Sequence, residues 1–277
     1  MTLSSANWSG HLTPRPAAAM PLQTIEPRRL YRQIADQLRG LVGRGEYAIG
    51  SKLPPERDLA LQLGVSRPSV REALIALEVE GRVEVRMGSG IYVRAVDAAT
   101  TRNAVLLHEA ESPLETIRAR QLIESELAAY AALNMRRNQV SGLRDAIGMM
   151  EDEAAGGHMP TNGDRLFHTR IAEACDNSVL LRVVSDLFDE RHNPLSAQLG
   201  SHFENAQSWT MAIAEHRAVV DAIAHQSPQA ARESMALHLA NSHDRFMAGW
   251  QAEGDTAPRP APRKPGARTT RGGRRAA

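Results

Sequence analysis

The stretch "DRLFH" places Asp164 and His168 four positions apart. In a helix that spacing sets both side chains on one face, a turn apart, so a carboxylate oxygen and an imidazole nitrogen could share a divalent cation. Two solvated polar residues would satisfy the same spacing, and the pair by itself decides nothing. A second polar group stands nearer the N-terminus in "SRPSVR", which crowds Ser66, Arg67, Ser69 and Arg71 into one short segment, with Arg57 shortly before it. Arginine forks match guanine O6 and N7, while hydroxyls and guanidinium groups also bind phosphate oxygens. Each group does its chemistry only if the surrounding chain holds it in place.

The chain has 277 residues, 42% of them hydrophobic, enough to build one or two cores. It contains no run of eighteen apolar residues, and "MTLSSANWSGHLTPRPAAAMP" lacks the basic start and apolar core of a secretory signal. A soluble cytoplasmic protein with no membrane segment is expected. The single cysteine, Cys175, excludes an intrachain disulfide and is given no role. The net charge of +1 conceals a segregation: residues 26–94 carry 12 basic and 9 acidic side chains, 95–253 carry 13 and 22, and 254–277 carry 7 and 1. A basic front and an acidic rear point to two tasks, one of them contact with a polyanion.

Four segments follow from the pattern. Residues 1–25 and 251–277 are rich in Pro, Ala, Ser, Gly or Arg without periodicity and are expected to be disordered, the second as a basic tail. Residues 26–95 open with Leu30, Ile34, Leu38 and Leu41 at helical spacing. A short helix then begins at Pro54 and Pro55 and stops at Gly64. Ser66 offers an N-cap oxygen to a second helix with Pro68 in its first turn and an apolar stripe of Val70, Leu74 and Leu77. Two helices joined by "LGVS" predict a helix-turn-helix, and "VEVR" and "IYVR" around "MGSG" predict a two-stranded wing. In such a fold the second helix enters the major groove by its N-terminal end. That geometry presents Ser66, Arg67, Ser69 and Arg71 to bases and phosphates and lets Arg57 reach the backbone. Residues 96–250 show helical patterns through 113–134, 140–155, 162–175, 178–191, 208–226 and 228–249, broken at "GGHMPTNG", "RHNP" and "QSP". They predict an all-helical bundle.

The segment "LPPERDLALQLGVSRPSVREALIALEVEGRVEVRMGSGIYV" resembles the winged-helix signature of the GntR superfamily of bacterial transcription regulators, over residues 28–94. The rear half resembles the FadR-type branch, whose ligand-binding FCD domain is an antiparallel helical bundle. The matching text is "LETIRARQLIESELAAYAAL", "DRLFHTRIAEACDNSVL" and "EHRAVVDAIAHQSPQAARESMALHL". The resemblance implies a mostly α protein and a regulator rather than an enzyme. It places DNA contacts on Arg57, Arg67, Ser69 and Arg71 and the wing tip at Met87 and Gly88; Met87 departs from the His or Arg often found there, leaving the Gly88 backbone as the contact. It also implies a metal held by Asp164, His168, His216 and His238. Three imidazoles and a carboxylate suit Zn²⁺ first and Ni²⁺ or Mn²⁺ as well. Arg120 matches an arginine directed into the bundle cavity, where it could pair with an effector carboxylate or only with Glu124 one turn on. "ARQLIESELAAYAAL" and "EVEGRVEVRMGSGIYV" look most like the regulators of hexuronate use, with lactate or another carboxylate as the alternative effector. The expectation is a homodimeric repressor on a palindromic operator, released by a small organic acid. A metal-dependent hydrolase is disfavoured, because no hydrolase motif accompanies the four residues.

Overall fold

The computed structural model describes residues 29–95 and 110–248. The segments expected to be disordered, 1–25 and 251–277, lie outside the described residues. Helix α1 (Leu30–Gly43) buries Tyr31, Ile34, Ala35 and Leu38, so its core stripe starts at Tyr31, and Leu30 points outward. Helix α2 (Glu56–Leu63) is preceded by Pro55 and ends on Gly64, whose φ of 66° is left-handed backbone that glycine adopts without a Cβ clash. Helix α3 (Arg67–Val79) is capped by Ser66, whose Oγ accepts from the Ser69 backbone N–H at 3.3 Å. Strands β1 (Val83–Arg86) and β2 (Gly90–Val93) pair antiparallel, Val83 opposite Val93 and Arg86 opposite Gly90. Val83, Val85, Ile91 and Val93 turn inward onto α3 and leave the strand tips and the connecting turn in solvent. This is the winged helix-turn-helix that the residues predict.

The rear half is helical throughout its described residues: α4 (Pro113–Asn134), α5 (Arg137–Ala155), α6 (Thr161–Glu173), α7 (Ser178–Asp189), a 3₁₀ turn (Glu190–His192), α8 (Pro194–Phe203), α9 (Ala206–Ala224) and α10 (Pro228–Ala248). Helices α4 and α10 run antiparallel, tied by Gln121 donating to the Ala236 carbonyl at 2.9 Å and by Arg232 on Glu126 at 2.7 Å. The core between the helices is apolar, with Leu143, Met150, Phe167, Ile171, Val219 and Leu239 buried in it. Among the described residues, no helix is long and apolar enough to cross a membrane.

Helix α8 corrects the sequence reading, which takes "RHNP" as a break and assigns no helix between residues 191 and 208. Asn193 is an N-cap, its side chain accepting from the Ser196 N–H at 2.8 Å, and Pro194 occupies the first turn, where its missing N–H costs nothing. The same two residues that end one helix therefore begin another. Leu195, Leu199 and Phe203 of α8 are buried in the core of the winged helix, against α3. The two halves are thus packed on one another through the helix the periodicity hides.

Two packing features carry predictions. A Cβ on Gly163, in the first turn of α6, would sit 2.6 Å from the Met150 backbone N and 2.8 Å from the Ala146 carbonyl. Gly163→Ala forces α5 and α6 apart beside Asp164, and should cost about 1–3 kcal/mol of stability in urea unfolding. Glu72 on α3 is buried against the start of α4, accepting from Ser112 Oγ at 2.5 Å and the Leu114 N–H at 3.1 Å. Burial pushes its carboxyl up to about 7. The folded chain therefore binds a proton that the unfolded chain releases, so this contribution is complete below the ordinary carboxylate range and is lost as pH rises through about 7. Melting temperatures taken between about pH 5 and 8 should fall less steeply for Glu72→Gln than for the parent.

Candidate functional site

Helix α6 supplies Asp164 and His168, α9 supplies His216 and α10 supplies His238. All four are buried, and their ligand atoms lie within 4.8 Å of one another. Asp164 Oδ1 is 3.0 Å from His216 Nε2 and 3.3 Å from His168 Nε2, and the two Nε2 atoms are 3.3 Å apart. The opposite nitrogen of each imidazole is engaged elsewhere. His168 Nδ1 contacts Glu124 Oε2, His216 Nδ1 lies 2.7 Å from the Ala212 carbonyl, and His238 Nδ1 lies 2.9 Å from Glu215 Oε2. With the outer nitrogens facing acceptors, the inner ones point toward a shared place, the arrangement found in protein metal sites. Four such donors could hold a divalent cation.

Electrostatics supports the same arrangement. Burial alone would raise the Asp164 carboxyl, but Arg191, His168 and His216 together hold it well below the usual carboxylate range. Burial and the neighbouring His216 push His238 down to about 3, so that ring is neutral, the form that coordinates. Burial works against charge on His168, and Glu124 beside it reverses the balance and tips its pKa upward. Phe167 is fully buried between the helices, edge-on to the rings of His168 and His216 at centroid distances of 5.2 and 4.6 Å. It packs the site and offers no ligand.

Asp164, His216 and His238 form one wall of a cavity of about 340 Å³ whose lining also includes Thr116, Arg120, Arg191, Trp209 and Arg245. Arg120 donates from Nε to Glu124 Oε1 at 2.6 Å, so the structural pairing is present. Its Nη2 is nevertheless buried with no hydrogen-bond partner among the described residues, as is Trp209 Nε1. Glu124 accepts from Arg120 with Oε1, and its Oε2 lies against His168 Nδ1, which places the cavity arginine and a ligand beside one carboxylate. Sequence reasoning does not identify Arg191, which pairs with Asp164, or Glu215, which binds His238, Asn241 and Arg245. Arg191 lies in the 3₁₀ turn after α7 and Glu215 on the helix facing His238; neither has a local spacing that announces its partner.

On the winged helix, Ser66 and Ser69 sit at the exposed start of α3, their hydroxyls 2.9 Å apart. Arg67 is half exposed and reaches back to Glu56 at 3.3 Å, and Arg57 is exposed beside Asp58. Met87 and Gly88 protrude at the wing tip, Gly88 with a φ of 72°, and Arg86 stacks 4.6 Å from the Tyr92 ring. Arg71 departs from the sequence reading. It is wholly buried, paired with Glu56 at 2.9 Å, and donates to the carbonyls of Phe246 and Met247 at 2.7 and 2.9 Å. One helical turn beyond Arg67, it lies where α3 meets both α2 and the end of α10, so those acceptors cover it.

Comparison with known proteins matches residues 30–93 to the bacterial regulatory proteins of the gntR family and residues 115–241 to the FCD domain. The Uxu operon transcriptional regulator of Escherichia coli K12 is 36% identical over 228 residues, 79% of this chain and 88% of that protein. The Exu regulon transcriptional regulator of the same organism is 36% identical over 231 residues, 80% of this chain and 86% of that protein. A putative L-lactate dehydrogenase operon regulatory protein, also from E. coli K12, is 31% identical over 226 residues, 79% and 87% respectively. A basic winged helix joined to a helical domain with a buried Asp and three His, together with these matches, places the chain in the GntR family of bacterial transcription regulators, with an FCD sensor domain.

Proposed function

We propose that the protein is a homodimeric repressor of a sugar-acid catabolic operon, and that a hexuronate bound beside a divalent metal in the helical domain releases it from a palindromic operator. The observation that carries this reading is the buried set of Asp164, His168, His216 and His238, three of which, Asp164, His216 and His238, form one wall of a cavity. These four residues would hold the metal, Zn²⁺ first and Ni²⁺ or Mn²⁺ also suiting the donors. When bound, such an ion supplies Lewis-acid positions that carboxylate and hydroxyl oxygens can occupy. Arg120 supplies a guanidinium for a carboxylate, with Glu124 fixing its orientation.

The relatives named for the Uxu operon and Exu regulon support a hexuronate, and the one named for an L-lactate dehydrogenase operon supports a smaller acid. The cavity of about 340 Å³ has room for either acid, and two of these three relatives favour the hexuronate. On the DNA side, Arg57, Ser66, Arg67, Ser69 and the Gly88 backbone meet the operator. The acid acts by binding one arrangement of the two domains more tightly than the other, and operator affinity changes by that difference.

The test is a titration of the protein bound to DNA from upstream of its own coding region, with glucuronate, galacturonate, fructuronate and lactate in parallel. Release by a hexuronate at lower concentration than by lactate is the expected result. Release by lactate alone would reassign the effector, and release by none would sink the sensor reading. Arg120→Ala should keep its operator affinity while the dose response moves to roughly tenfold higher acid or beyond.

A further inference from the structure

Arg71 and Glu72 are neighbours on α3, and each grips the rear domain. Arg71 donates to the Phe246 and Met247 carbonyls of α10, while Glu72 accepts from Ser112 Oγ and the Leu114 N–H at the start of α4. Because α4 and α10 are antiparallel, those two ends lie side by side. Two consecutive residues of the recognition helix therefore clasp neighbouring turns of a helix pair in the other domain. Glu78, farther along α3, adds His202 and Gln198 of α8, the latter at 3.0 Å.

The clasp adjoins the sensor cavity. Phe203 and Phe246 both line it and both pack into the core of the winged helix, their rings 6.4 Å apart. Phe246 also contributes one of the two carbonyls on Arg71. Meanwhile Glu56 bridges Arg71 and Arg67, the residue that heads the exposed face of α3. A buried ion pair of this kind stabilises an interface less well than apolar groups of equal size would, but its charged groups can exchange partners.

We infer that Arg71 is a two-state residue: clasped by the end of α10 it is withheld from DNA, and released from it Arg71 joins Arg67 on the operator. Occupancy of the cavity acts on this equilibrium through Phe203 and Phe246, the acid favouring the clasped arrangement. The inference rests on the regulator reading above and adds the device by which the sensor would control the reader.

The test is run without any acid, so it stands whether or not a hexuronate is the effector. Full-length parent, Ser112→Ala and Ser112→Ala combined with Arg71→Met are compared for operator affinity at one salt concentration. Ser112→Ala, which loosens the grip on Glu72 and leaves α10 and the cavity intact, should bind operator roughly threefold more tightly or beyond, the gain from no longer dividing the population with a closed state. Adding Arg71→Met should erase the gain. Gln198→Ala, which removes the neighbouring grip on Glu78, should shift affinity in the same direction and keeps the inference testable if Ser112→Ala does not fold. Unchanged or weaker binding, or a gain that survives Arg71→Met, would overturn it. Failure of the acid titration, by contrast, would strike the sensor reading and leave this result standing.

Discussion

His216→Ala is expected to emerge from purification without the divalent ion that the parent retains. His216 Nε2 lies 3.0 Å from Asp164 Oδ1 and 3.3 Å from His168 Nε2, so its removal opens the middle of the donor set. Loss of an outer partner to a metal ligand costs roughly 10–100-fold in affinity, and loss of a ligand itself should exceed that. Glu124→Gln supplies the graded comparison, because it weakens the carboxylate that orients both His168 and Arg120 while leaving all four donors in place. A ligand that binds the folded state alone stabilises it by about 4 kcal/mol at a thousandfold excess over its dissociation constant. A chelator should therefore lower the melting temperature of the parent and leave His216→Ala unmoved. Elemental analysis of both proteins with parallel melts decides the matter; a parent that carries no metal and still responds to acid would remove the ion from the mechanism.

Arg67→Ala should produce the largest loss on the DNA side. Its guanidinium is half exposed at the start of α3, where a recognition helix meets base edges, and a bidentate guanine contact is worth about 1–3 kcal/mol of discrimination. The variant should bind operator roughly 10–100-fold more weakly and discriminate less at one base position. Arg57→Ala is the contrast. Exposed beside Asp58 on the preceding helix, it should weaken operator and unrelated DNA alike and reduce the slope of log affinity against log salt by about one. Equilibrium binding to operator and to scrambled DNA at several salt concentrations separates the two. Equal losses on both sequences for Arg67→Ala would make it a phosphate contact.

Much of the architecture is legible in the chain because its signals are local. The Ser66 cap, Pro68 in the first turn, the left-handed stop at Gly64 and the alternation in Val83, Val85, Ile91 and Val93 each depend on residues within one turn or one strand pair. Asp164 and His168 share a helix face for the same reason, whereas His216 and His238 are located by resemblance to a family and not by any spacing. Short-range signals fail where one residue serves two purposes, as when Asn193 and Pro194 end one helix and start α8. Arg71 is the sharper case. Its position in "SRPSVR" describes an exposed groove-facing side chain, and nothing in that segment reveals carbonyls 175 and 176 residues farther along the chain.

What the sequence alone determined is the pair of domains, the helix-turn-helix with its wing, the helical character of the rear half and, through family likeness, the four candidate metal ligands. The environment of those residues follows from how the helices pack and from nothing nearer in the chain. Glu124, Glu215 and the Ala212 carbonyl orient the imidazoles, Arg191 is placed on Asp164, and the end of α10 is placed on the recognition helix. The division is physical: helix and strand periodicity records a residue's relation to its own backbone, while charge pairing and burial depend on which surfaces meet after the helices pack.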